Sequence, residues 1–315
     1  MNGIITASAP HIPYRMNDEP TPVIGPLQGL RIIEMGQLIA GPFAAKTLAD
    51  FGAEVIKIEP PEGGDPLRGW RLLQDGTSVW WQVQSRNKRS VALDLKDPAA
   101  QDIVRQLAAQ ADVLIENFKL GGLAKYGLDY ASLSAINPRL VYCSITGFGQ
   151  DGPYAARAGY DFVIQGLSGI MDLTGEPDGA PQKIGVAYAD IMTGLYSTIA
   201  IQAALAERER SGMGQHIDMA LLDVMVGTLA NQAMNYLVSG KSPTRMGNAH
   251  PNVAPYAVFP TADGWFILAV GNDKQYVKFC DVVGIAADPR FAENAGRLAH
   301  RAELTARIEQ ATGRW

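Results

Sequence analysis

Residues Leu30–Glu59 read LRIIEMGQLIAGPFAAKTLADFGAEVIKIE. The stretch opens on a short apolar run, LRIIEM, and turns through GQLIAGP. It continues as a helix-like FAAKTLADFG and ends on a second short apolar run, VIKIE. Short apolar runs bounded by turn residues read as buried strands, and the segment between them reads as a helix. The alternation carries on downstream. SVALDL (Ser90–Leu95) is a third strand, and DPAAQDIVRQLAAQA (Asp97–Ala111) is a helix with a proline in its first turn. VLIENF (Val113–Phe118) and LVYCSITGF (Leu140–Phe148) are further strands. Such an order predicts a parallel sheet covered by helices, an α/β fold. Ligands of these folds bind beyond the carboxyl ends of the strands. Three turns fall there: GQLIAGP, ENFKLGG and ITGFGQDGPY. None has the spacing of GxGxxG or GxxxxGK[ST], so the common nucleotide fingerprints are excluded.

A second stretch, GVAYADIMTGLYSTIAIQAAL (Gly185–Leu205), puts Asp190 at the entry to a helix with no charged residue between Ile191 and Leu205. The pattern predicts a buried helix. Asp190 then has two readings: a cap on the helix N-terminus, or a nucleophile or base in a closed pocket. Further on, HIDMAL (His216–Leu221) reads as a strand and LLDVMVGTLANQAMNYLVSG as one long helix. The turn-rich KSPTRMGNAHPNVAPY precedes a hairpin, YAVFPT and WFILAV, joined at Asp263–Gly264. Two amphipathic helices, DKQYVKFCDVVG and HRAELTARIEQATGR, follow. The expected organisation is a disordered tail (1–24), a large domain (25–225) and a small domain (226–315).

The 315 residues are 47% hydrophobic and 19% charged, enough to bury a sizeable core. A net charge of -5 argues against a nucleic-acid partner, which wants a basic face. Cys143 and Cys280 stand far apart without partner histidines, which predicts a reducing compartment, no disulfide framework and no metal site. No apolar run is long and unbroken enough to suggest a membrane span, and the Pro-rich first residues carry no secretory pattern. The expectation is a cytoplasmic enzyme.

The ordered motifs resemble the family III (CaiB/BaiF-type) CoA-transferases. They are the opening stretch followed by PPEGGDPLRGW, then NKRSVALDLK, ADVLIENF, NPRLVYCSITGFGQDGPY, AGYDFVIQGLSG, the Asp190 segment, RSGMGQHIDMALLD and GNAHPNVAPY. The likeness runs from about Leu30 to the last residues. It implies a Rossmann-like large domain, a smaller α+β domain and an interlocked homodimer. It also implies that Asp190 is the nucleophile, carrying first an acyl group as a mixed anhydride and then CoA as a thioester. CoA enters as an acyl-CoA co-substrate, and no tightly bound cofactor is expected. By position, the CoA contacts implied are Gln37, Leu38, Ile39 and Ala40 in the first turn, Leu93 and Lys96, Asn117 and Phe118, and Lys125. Arg68 is a further phosphate candidate.

The loop holding Gly247, Asn248 and His250 matches the family's glycine-bearing loop over the active site, although a lone loop histidine is equally a polar surface residue. Asp161 matches an acidic residue lining the site, or else caps its own following helix. Two departures stand out: Leu120 replaces the proline of a KPG turn, and Pro60 replaces a CoA-binding basic residue of the formate/oxalate members. The rival within the same fold is a 2-methylacyl-CoA racemase. Those enzymes carry a histidine where this chain has Tyr160, and a phenol with a pKa of about 10 is a poor proton carrier near neutrality. GNAHPNVAPYAVFPTADGWFILAVGND resembles the branch that moves CoA between dicarboxylic acids such as succinate and glutarate. Arg157, Arg245, Asn248 and His250 are then candidate carboxylate receptors. Family members continue past the helix that ends at Trp315, so a missing return segment, and with it an inactive remnant, is a third expectation.

Overall fold

The computed structural model describes residues 25–314; the expected tail, 1–24, lies outside them. The chain divides into two compact units, and no single cut along the sequence separates them. The first comprises the described residues up to Asn117 together with 123–143 and 198–217. The second comprises 118–122, 144–197 and the chain from Asp218 onward.

The first unit begins with β1 (Arg31–Glu34), α1 (Ala40–Asp50) and β2 (Glu54–Glu59). A small hairpin of β3 (Leu73–Gln74) and β4 (Thr77–Ser78) leads into α2 (Val79–Ser85). Then come β5 (Lys88–Ala92), α3 (Pro98–Ala108), β6 (Val113–Glu116), α4 (Tyr130–Ile136) and β7 (Val141–Thr146). The sheet order is β5-β2-β1-β6-β7-β8, where β8 is His216–Ala220. β1 pairs in parallel with both β2 and β6, and β2 with β5. Because β1 is central, Ile32, Ile33 and Glu34 are all buried. α1 turns Ala44, Ala45 and Leu48 onto β1, β2 and β6. Burying a leucine of this kind contributes about 1.5–3 kcal/mol. α3 starts as its sequence predicts, with Asp97 accepting the Ala99 N–H at 2.9 Å and Pro98 in the first turn.

The third strand starts at Lys88, not Ser90. It lies at the sheet edge with Arg89 to Ala92 exposed, and an edge strand tolerates polar residues that an apolar-run criterion discards.

The second unit holds α5 (Asp161–Leu167), α6 (Ile170–Leu173) and the first part of α7 (Tyr188–Ser211). α8 (Leu221–Thr228) and α9 (Ala230–Ser239) replace the single expected helix, which breaks where Ala230 takes a positive φ of 47°. The strands β9 (Tyr256–Pro260) and β10 (Trp265–Ala269) then pair antiparallel, Phe259 opposite Phe266. With α10 (Asp273–Val283), α11 (Asn294–Ala299) and α12 (Arg301–Thr312) they enclose a core of Phe259, Val270, Tyr276, Cys280, Phe291, Leu304 and Ile308. Arg297, wholly buried, is satisfied by the carbonyls of Ala254, Phe291 and Ala292 and by Asp273.

α7 corrects one expectation. Ala189, Thr193 and Ser197 are buried along one face, but Leu195, Tyr196 and Ile199 are exposed, Ile199 at 64%. A helix without charges is not thereby a helix without a surface.

Candidate active site

Asp190 is the third residue of α7, and the first turn of that helix has every N–H accounted for. The Tyr188 N–H donates to Val186 O at 2.8 Å, and the Ile191 N–H to Ala187 O at 3.0 Å. The two between are taken by another helix: Asp161 Oδ1 accepts the N–H of Ala189 at 2.7 Å and of Asp190 at 3.3 Å. Asp161 therefore performs the capping usually done by the residue preceding the helix, a place held here by an alanine. Its other oxygen, Oδ2, accepts from Gln165 Nε2 at 2.7 Å, one turn along α5. Gln165 Oε1 in turn accepts the Ile184 N–H at 2.9 Å.

Asp161 is delivered by a close backbone crossing. A Cβ at Gly147 would lie 2.4 Å from the Gly159 Cα, and one at Gly159 2.3 Å from the Gly147 Cα. Only two glycines permit that approach, and Asp161 follows the second by two residues.

Relieved of capping, the Asp190 carboxyl group has no hydrogen-bond donor among the described residues. Burial pushes its pKa up, the negative charge of Asp161 pushes it further, and the result is about 7. A carboxylate at the positive end of a helix would ordinarily be favoured as the anion; here the Asp161 charge already occupies that end. Asp190 is thus a desolvated, weakly stabilised carboxylate, and hence a more reactive one.

In the same unit, the Gly247 N–H donates to Gly175 O at 3.0 Å, with a φ of 56°. A Cβ there would meet the Glu176 carboxylate at 3.1 Å. Arg245 is ion-paired with Asp172, and Arg157 lies over the Tyr154 ring at 3.9 Å. His250 donates its backbone N–H to Tyr256 O, accepts the Asn252 N–H on Nδ1 at 3.1 Å and lies beside the Tyr256 ring. Asn248 and Tyr160 are exposed, and Phe118 is half-buried.

In the first unit the GQLIAGP turn is held from all sides. Asn117 Oδ1 accepts the Gln37 N–H at 2.8 Å, and its Nδ2 donates to Gln37 O at 2.9 Å. Leu38 sits at a φ of 63°, its N–H directed at the Asp65 carboxylate at 3.1 Å. Lys57 Nζ donates to Glu34 Oε1 and Gly36 O, each at 2.7 Å, and meets Asp65 Oδ2 at 3.0 Å. Three partners satisfy the three protons of that ammonium. Lys88 Nζ completes the group, at 2.6 Å from Glu34 Oε2 and 2.8 Å from Pro42 O. Burial lowers the Lys57 pKa, but Glu34 and Asp65 outweigh it and the net direction is up. For Glu34 burial raises the pKa, and Lys88 and Lys57 bring it down overall.

Ile39 and Ala40 are buried at the start of α1. Arg68 is bound in two-pronged fashion to Glu59, at 2.8 Å on both contacts, and stacks on Trp81 at 3.8 Å. Burial raises the Glu59 pKa, but hydrogen bonds from Arg68 and Ser90 outweigh it and hold it near 2. The Leu93 N–H bonds to Glu59 O, Lys96 is exposed, and Lys125 Nζ lies 4.6 Å over the Tyr126 ring.

Both Asp161 and Asp190 are candidates on sequence grounds, and the structure joins them. Gln165, Lys57 and Asp65 are not singled out by the sequence. The one local signal is the i, i+4 spacing of Asp161 and Gln165 on α5.

Within the second unit, a desolvated carboxylate at a helix entry is a group suited to covalent acyl exchange; the first unit separately holds a parallel sheet with a braced turn after its first strand. The family profile described as CoA-transferase family III matches residues 27–315. The chain is 57% identical over 300 residues to a succinate–glutarate CoA-transferase of Agrobacterium fabrum, covering 92% of this chain and 75% of that protein. It is 42% identical over 299 residues to the succinyl-CoA:glutarate CoA-transferase of Mus musculus, covering 92% and 69%. A solved structure of a CaiB/BaiF family protein from Brucella suis superposes with a TM-score of 0.81 at 59% identity, covering 93% of this chain and 79% of that one. The chain belongs to CoA-transferase family III and is a CoA-transferase.

Proposed function

We propose that the enzyme moves CoA from succinyl-CoA to a second dicarboxylic acid of the glutarate type, with Asp190 as the nucleophile. The Asp190 carboxylate attacks the thioester carbonyl; the C–S bond breaks and CoA leaves as the thiolate, giving a mixed anhydride. The thiolate then attacks the aspartyl carbon, succinate departs and Asp190 carries CoA as a thioester. The acceptor carboxylate attacks that aspartyl carbon and displaces the thiolate, forming a second anhydride. Thiolate attack on the acceptor's acyl carbon releases the new acyl-CoA and restores Asp190. Each step exchanges one acyl bond for another, so no proton carrier is needed and the work is positioning and exclusion of water.

The observation that carries the reading is the Asp190 carboxyl group itself: partly desolvated, without a donor among the described residues, and raised to about 7 while Asp161 takes the helix N–H groups. The dicarboxylate preference rests on what the two relatives are named for. Gln37–Ala40, Leu93, Lys96, Asn117, Phe118 and Lys125 serve the CoA moiety, and Gly247, Asn248 and His250 the acyl side. Arg68, committed to Glu59, supports the fold beneath the turn in preference to a phosphate. The reading carries a cytoplasmic homodimer, and the exposed Phe162, Val163 and Leu167 of α5 and Leu237 and Val238 of α9 supply apolar surface for one.

The test is chemical. The enzyme is mixed with succinyl-CoA, quenched with hydroxylamine and digested, and the peptide holding Asp190 is weighed. A hydroxamate on Asp190, with CoA transferred to labelled glutarate, is expected. Undiminished transfer by an Asp190→Asn enzyme would overturn the mechanism.

A further inference from the structure

Resting on the reading of Asp190 as nucleophile, we propose that Gln165 is a positioning residue that holds the catalytic carboxylate in place through Asp161. Its side chain is wholly buried and every polar group it carries is used. Nε2 donates to Asp161 Oδ2 at 2.7 Å and lies 3.5 Å from Val186 O, and Oε1 accepts the Ile184 N–H at 2.9 Å. A continuous chain of contacts follows. The segment entering α7 is gripped by Gln165 at Ile184 and Val186, Gln165 grips Asp161, and Asp161 grips Ala189 and Asp190. Both ends of the short loop before Asp190 are thereby tied to α5.

An amide serves at this point at every pH, whereas a carboxyl group does so only while protonated. The side chain must donate to a carboxylate and accept from a peptide N–H at once. A methionine of similar length leaves Ile184 N–H and Asp161 Oδ2 without partners. A glutamate sets a second carboxylate against Asp161 unless it is protonated. A reacting group displaced by about 1 Å can lose about 10²-fold in rate.

The experiment measures turnover, Asp190 hydroxamate formation and thermal melting for wild type, Gln165→Met and Gln165→Glu, using succinyl-CoA and glutarate. Gln165→Met is expected to lower kcat about 10- to 100-fold with the KM for succinyl-CoA changed less than about threefold. Gln165→Glu is expected to shift the pH profile. The wild-type rate reaches a plateau above about pH 7, whereas the introduced carboxyl group, once ionised, no longer donates to Asp161 Oδ2 and adds a like charge beside it, so the variant's rise lies at higher pH and reaches a lower plateau. A group that merely fills space would lower the melting temperature and leave the position of the rise alone. If Gln165→Met does not fold, the Gln165→Glu profile decides. Profiles superposing on wild type, or a folded Gln165→Met enzyme with unchanged kcat, overturn the inference. If wild type itself yields no hydroxamate on Asp190, the nucleophile reading fails and takes this one with it. A wild-type hydroxamate with unaffected variants sinks only the role of Gln165.

Discussion

Asp161 holds the main chain of Asp190, its Oδ1 accepting the Asp190 N–H at 3.3 Å, while its charge opposes ionisation of the Asp190 side chain. One carboxylate thus both places the other and keeps it basic. Single-turnover formation of the Asp190 adduct should therefore rise with pH through about 7 and level off above it. Asp161→Asn should move that rise to lower pH, because it removes the second cause of the shift. Burial, the larger cause, remains, so the rise stays above the ordinary carboxylate range. A rise unmoved by Asp161→Asn would show that the two charges do not communicate.

The same shift has a consequence for stability. Asp190 has a folded-state pKa of about 7 against an ordinary 3.8, so the unfolded chain releases its proton first as pH increases. Stability is fully present below about pH 4, declines between there and pH 7, and stays at the lower level beyond. At pH 8 Asp190→Asn should stabilise the protein by about 2–4 kcal/mol, less where the side chain is reached by water. Melting at pH 8 and at pH 4 checks the sign: the gain should shrink at the acid end.

Lys57 is buried between Glu34 and Asp65, at 2.7 and 3.0 Å. Lys57→Met should destabilise by about 3–5 kcal/mol, since it strands buried carboxylates. Adding Asp65→Asn should recover part of that loss, because the neutral amide no longer needs the ammonium. Urea midpoints of the two single variants and the double variant read the coupling directly, and strict additivity would mean that the pair is not coupled.

Asn117 clasps both main-chain polar groups of Gln37. Asn117→Ala should cost about 1–3 kcal/mol for the partners left unmet. Under the proposed function it should also raise the KM for succinyl-CoA far more than it lowers kcat. A KM within twofold of wild type would remove this turn from the CoA site.

The strands around β1 are legible in the sequence because buried parallel strands are nearly pure apolar runs, and VLIE and RIIE stand out for that reason. α2, α4, α5 and α11 are not; each is short, and seven or six residues hardly establish a helical period. Asp190 can be found from its place before an uncharged helix. The partnership with Asp161 cannot, because 28 positions separate Ala189 from Asp161 and neither neighbourhood announces the other. On sequence alone Asp161 reads as a cap for its own helix or a site residue; it caps α7. Lys57 and Lys88 escape notice for a different reason. In a linear sequence a lysine reads as surface, and only the sheet register, which sets Lys57 opposite Glu34, turns it into an internal brace.

That brace makes the shape of the first-strand turn the joint property of five residues scattered from Glu34 to Asn117. Cutting GQLIAGP out and grafting it into another parallel sheet would carry the letters without the bend. Over evolutionary time, single exchanges at Glu34, Lys57, Asp65 or Lys88 face a penalty that paired exchanges escape. These positions should drift together or not at all.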